Sequence, residues 1–207
     1  MTHTEHVHML FGILTMGMAG TFWWTDRYPD SPARFAWPSF VLLIGFFMFV
    51  PVERQTRTYV EVGIWDTFLS AFPANAAEWR TCVPAWLEMV HKPHVLQHKI
   101  TGLAGLVAGT VEFARARGRA PGWGRWVVPI SLSVVAGTLG VHGGTAAHLP
   151  HAVETLHHHI FGGCFAAAAV VLALTQAGPL HHRAWRIAPP VLLFVAGVDM
   201  ALLYRLH

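Results

Sequence analysis

A chain of 207 residues that is 54% hydrophobic and only 12% charged departs from an ordinary soluble domain, in which about a quarter of residues are charged. The formal net charge of +3 is thinly spread, and no basic, aromatic-laced soluble surface is available for nucleic acid. The composition predicts one all-α domain over residues 1–207, a polytopic integral membrane helix bundle of about six transmembrane helices and one interfacial helix.

Six segments approach the ~20 apolar residues that a helix needs to cross a bilayer core. The first, near 7–24, opens with "MTHTEHVHM", which has no cationic leader, and no small-residue cleavage site follows it. It is expected to be retained as a span. At helical spacing it aligns His8, Gly12, Thr15 and Ala19 on one face. A second span is expected near 35–52. The stretch "TYVEVGIWDTFLSAF" (58–72) is apolar on one side but carries Glu61 and Asp66, and its length suits a helix lying in the interface.

The third span, near 95–114, is opened by Pro93, a good first-turn residue. That start puts His94 and His98 one turn apart, and their face continues as Gly102, Gly105, Gly109 and Glu112. Such small residues admit either another helix or a flat cofactor. The fourth span, near 125–143, ends at His142 in "GVHGG". The fifth, near 155–176, follows "HLPHAVETLHHHIFGG". There His151, Glu154 and His158 share a face at i, i+3 and i+7, with His157 and His159 beside it. The sixth, near 186–206, carries Asp199 within its apolar run. All nine tryptophans fall at or between span ends, as indole prefers the membrane–water boundary. Cys82 lies in a loop and Cys164 within the fifth span, so no disulfide is expected.

Six spans bring the loops at 25–34, 115–125 and 177–186 to one face with eight arginines, against six basic residues on the other. "ARARGRAPGWGR" is dense, short and free of acids, which marks that face as cytoplasmic. If 58–72 crosses as well, that loop and 177–186 stay inside and only the N-terminus and the loops flanking the second span change sides. With six spans, thirteen of the fifteen histidines lie at the opposite boundary, the periplasmic side of a bacterial inner membrane.

Neutral imidazole is the commonest protein ligand for zinc, copper, iron and nickel. The expected ligand set is His8, His94, His98, His142, His151, His157 and His158. Glu112 and Glu154 are the candidate catalytic carboxylates, and Gly102, Gly105 and Gly162 the candidate cofactor-facing glycines. This set exceeds one mononuclear site, so it suggests two metals or a bis-histidine haem b with further histidines. Copper draws support from "HVHM" and from the third-position histidine of "MTH"; zinc stays open. Bland alternatives stand beside these. An interfacial histidine is ordinarily a hydrogen-bonded boundary residue, which suits His3, His6, His91, His181, His182 and His207. "HHH" also fits a solvated, proton-titrating helix start, and Glu112 lies close enough to Arg115 to be its ion-pair partner.

The blocks "EHVHMLFGILTMGMAGTFWWTDRYPD", "LQHKITGLAGLVAGTVEF" and "HHHIFGGCFAAAAVVLAL" resemble the transmembrane protein 45 family, the domain-of-unknown-function 716 group, in a bacterial-type member. The matching positions are His8 and Gly12; Trp23, Trp24, Tyr28 and Pro29; Gln97, His98 and Glu112; and His142, His151 and Phe161 to Cys164. The family pattern lacks the full His157–His159 triplet. The resemblance covers about a third of the chain; it implies a polytopic helical fold with an intramembrane histidine set and supplies no activity.

Three functions are therefore expected, in this order. The first is a metal-dependent membrane oxidoreductase with a dinuclear iron or copper centre, acting on a lipid or small hydrophobic substrate. Its histidine spacing is similar to that of multi-histidine membrane hydroxylases, although those keep their histidines on the cytosolic side. The second is a b-type haem electron-transfer protein with a redox partner. The third is copper or zinc binding without catalysis.

Overall fold

The computed structural model describes residues 3–49, 80, 93–141, 151–180 and 182–202; within these, the side chains of 3–7, 93, 94, 151–154 and 183 are left undescribed. Every regular element among the described residues is helical, so the chain is all-α. The helices bounded within the described residues are α1 (His3–Arg27), α2 (Ala33–Phe49), α3 (Pro93–Ala116), α4 (Val127–Gly140), α5 (His151–Ala177) and α6 (Arg183–Leu202), with a 3₁₀ turn at Gly122–Trp126 before α4. Each of these helices overlaps one of the expected spans, whose ends at 50–52, 142–143 and 203–206 lie outside the described residues. The expected interfacial helix at 58–72, together with Cys82 and His142, lies outside the described residues.

Short turns follow α1, α3 and α5, and helices that pack side by side run antiparallel. Gly118 and Gly178 follow α3 and α5 at φ +67° and +102°, the left-handed conformation that glycine adopts cheaply and that satisfies a helix's last carbonyls. Behind Gly118 the Arg119 N–H donates to Ala114 O at 2.9 Å. Neighbours then pair in reversed order. Phe22 meets Trp37 and Phe35 meets Phe113, Thr101 bonds Thr138, and His157 meets Asp199. Among the described helices each packs on the next and α6 returns to α1, closing an up-and-down ring.

Two seams of this ring are backbone on backbone. A Cβ added at Gly12 would stand 2.6 Å from Ala201 N and from Gly197 O, and one at Gly45 2.6 Å from Leu106 N. At Gly102 it would stand 2.6 Å from Phe49 N. Small residues allow such close helix contact where dispersion and hydrogen bonds drive association. Of the two occupants that suited the Gly102–Gly105–Gly109 face, the structure places a helix there, α2. The interior is filled by Met18 and Ala19 of α1, Leu132 of α4, Phe161, Phe165, Ala168 and Ala169 of α5, and Leu193 and Ala196 of α6. Large apolar side chains also point outward from all six helices, among them Ile13, Leu43, Leu103, Ile130, Val170 and Phe194. Among the described residues two segments, Thr155–Ala177 and Ala184–Leu202, are long and apolar enough to cross a membrane.

Candidate functional site

Up-and-down order brings the starts of α1, α3 and α5 to the same end as the finishes of α2, α4 and α6. His8, His98, His157, His158, His159 and Asp199 all belong to that end. Its centre is a buried ion-pair geometry between α5 and α6. The Nδ1 of His157 lies 3.1 Å from Oδ2 and 3.2 Å from Oδ1 of Asp199. The side chains are only 6% and 3% exposed. A carboxylate accepts, so Nδ1 carries the donated proton. Burying a carboxylate is costly unless it is paired and hydrogen-bonded, and here both oxygens face the imidazole.

The next residue, 100° further round the helix, faces α1 instead. His158 is buried, and its ring centroid is 6.4 Å from that of His8, with the planes at 71°. Phe161, 2% exposed, lies one turn below both α5 histidines, with ring centroids 6.3 Å from His157 and 6.1 Å from His158. It forms an apolar floor that separates the imidazoles from the core.

The start of α3 ties this end together. Buried Lys99 donates from Nζ to Met48 O at 3.3 Å, placing a cation against the last turn of α2, where the helix dipole favours it. Gln97 Nε2 donates to Val141 O at 3.4 Å, just past α4. One turn on, the hydroxyls of Thr101 and Thr138 are 2.8 Å apart.

Glu112 is elsewhere. It is buried and paired with Arg115 Nη1, fourteen residues along α3 from His98, or ~21 Å at 1.5 Å per residue. The ion-pair alternative is thus the observed geometry, and Glu112 does not join the histidines. Gly162 lies on the α4 side of α5, where an added Cβ would meet Ala136 O at 3.3 Å. It lines an outward-facing groove of about 480 Å³ between α4 and α5 that also includes Gly137, Gly140, Gly163 and His159. Cys164 packs against the core cluster.

His94, His151 and Glu154 belong to α3 and α5 at the histidine end, but their side chains, like His142, are outside the described set. Among the described residues no group of three or more His, Cys, Asp or Glu side chains is arranged to hold a metal ion. What sequence reasoning missed is the role of Asp199 as partner of His157. A usable signal existed: His157 lies 20 residues before the end of α5 and Asp199 16 after the start of α6, so a short turn brings them within about one helical turn of each other. Comparison with models of protein families, with curated proteins and with solved structures finds no match to this chain.

Proposed function

We propose that the chain is a six-span integral membrane metalloprotein of the bacterial inner membrane. Its arginine end is cytoplasmic and its histidine end periplasmic. A transition-metal centre at the histidine end, iron or copper and dinuclear, carries out oxidation–reduction on a lipid or small hydrophobic molecule. The observation that carries this reading is the buried His157–Asp199 pair beside His8 and His158. Metal-ligating histidines characteristically donate their other ring N–H to a carboxylate, which fixes the tautomer and raises basicity. The His8 and His158 rings meet across α1 and α5 with centroids 6.4 Å apart, so both imidazoles are available to one layer. His94, His98, His142 and His151 complete the proposed ligand layer.

Apolar side chains exposed on all six helices support six spans rather than two, because soluble monomers rarely expose so extensive an apolar surface. The outward groove beside His159 suits a hydrophobic substrate. Within this reading the chain is a bacterial-type member of the transmembrane protein 45 family, whose three motif blocks fall on α1, α3 and α5. The haem alternative is disfavoured because α2 already occupies the glycine face of α3.

The test is elemental analysis of detergent-purified protein beside its visible spectrum. Bound iron or copper without a Soret band is expected. Alanine at His8, His157 or His158 should lower the metal content far more than alanine at His182. Absence of bound metal at neutral pH removes the reading, a Soret band replaces it with haem, and bound metal without redox turnover leaves metal binding alone.

A further inference from the structure

The geometry points to a phosphate-binding site at the opposite end of the ring, where α2 begins and α3 ends. A cavity of about 670 Å³ is lined there by Arg34, Phe35, Arg115, Arg117 and Arg119. Two of the guanidinium groups are held over aromatic faces: Arg34 is 4.9 Å from the Phe35 centroid and Arg117 4.6 Å from that of Phe113. The two phenyl rings are themselves 5.6 Å apart and join α2 to α3. A guanidinium lying over a ring face keeps its N–H edge for an oxyanion, and its planar fork matches phosphate oxygens two at a time. The left-handed Gly118 turn reverses the chain so that Arg119 also lines the cavity.

Nearby acids offset only part of this charge. Glu112 pairs with Arg115. Asp30 reaches Arg34 only at 4.0 Å with a fully exposed side chain, a contact of little strength. Among the described residues no acid pairs with Arg117 or Arg119, which face the cavity and can meet an external anion.

Exposed Trp24, Tyr28, Trp123 and Trp185 surround the same end, the residues that lie at headgroup depth. The phosphate is therefore that of an anionic phospholipid, in keeping with basic pockets on the cytoplasmic side of membrane proteins. The lipid source rests on the membrane-spanning reading above; the phosphate chemistry does not.

The experiment is native mass spectrometry of the full chain with mixed phosphatidylcholine and phosphatidylglycerol, with inorganic phosphate as competitor. Wild type should retain phosphatidylglycerol selectively, and millimolar inorganic phosphate should fail to displace it. Arg117→Gln and Arg119→Gln, both on an exposed turn and so without risk to folding, should each weaken retention about fivefold, whereas Arg125→Gln should not. Equal retention of the two lipids, or wild-type retention by both variants, overturns the site. Displacement by inorganic phosphate with loss in the same variants overturns the lipid source while locating the phosphate chemistry in the cavity.

Discussion

Asp199→Asn tests the centre most sharply, because it removes a charge with almost no change of shape. The carboxylate places both oxygens within 3.2 Å of His157 Nδ1, and both side chains are buried. A hydrogen bond to a charged group contributes ~1.5–3 kcal/mol net. Asparagine keeps one acceptor oxygen, so a stability loss of about 1–2 kcal/mol is expected for the metal-free protein. If His157 is a ligand oriented by Asp199, metal affinity falls in addition by ~10–100-fold, or about 1.4–2.7 kcal/mol. Chelator-competition titration gives the affinity, and thermal melts with and without metal give the stability. The two effects separate because a metal bound only to the folded state raises the melting temperature according to its own dissociation constant. A variant that melts earlier yet binds metal as tightly as wild type would show that the pair is structural and refute the reasoning.

Gly12→Ala and Gly45→Ala force a methyl into a facing backbone and should each cost ~1–3 kcal/mol, read as a lower melting temperature; Gly137→Ala, which meets nothing within 4 Å, serves as the neutral control. Thr101→Val breaks the hydroxyl pair with Thr138 and should cost ~0.6 kcal/mol, measurable in the same melts. Glu112→Gln should loosen the Arg115 pair and leave metal content and activity unchanged, since it lies at the other end of α3; impaired activity with intact metal would return Glu112 to a catalytic role. A reporter enzyme active only in the periplasm, fused after His207, should be active, and activity of a cytoplasmic reporter there instead would contradict the six-span topology.

The apolar runs by themselves marked where the described helices form, because a long apolar stretch that leaves water must pair its own backbone groups and a helix does so internally. Helix ends were less legible. The fourth span was expected from residue 125, yet Gly122–Trp126 folds as a 3₁₀ turn and α4 begins at Val127, a local matter of chain direction that hydropathy does not encode. Parity alone also brings the histidine-rich starts of alternate helices to one end. The rotation of each helix about its axis was another matter. α5 is apolar over most of its circumference, so its periodicity does not say which face turns inward. Only packing against α1 and α6 sends His158 toward His8 and the adjacent His157 toward Asp199. The same holds for Gly102 and Gly105, whose lack of side chains announces a close approach without naming what approaches. Glu112 had two suitors at sequence level, a buried relay and Arg115. The choice fell to tertiary structure, because pairing energy depends on which groups share a depth and a face, and one helix's sequence specifies its own faces but not its neighbours'.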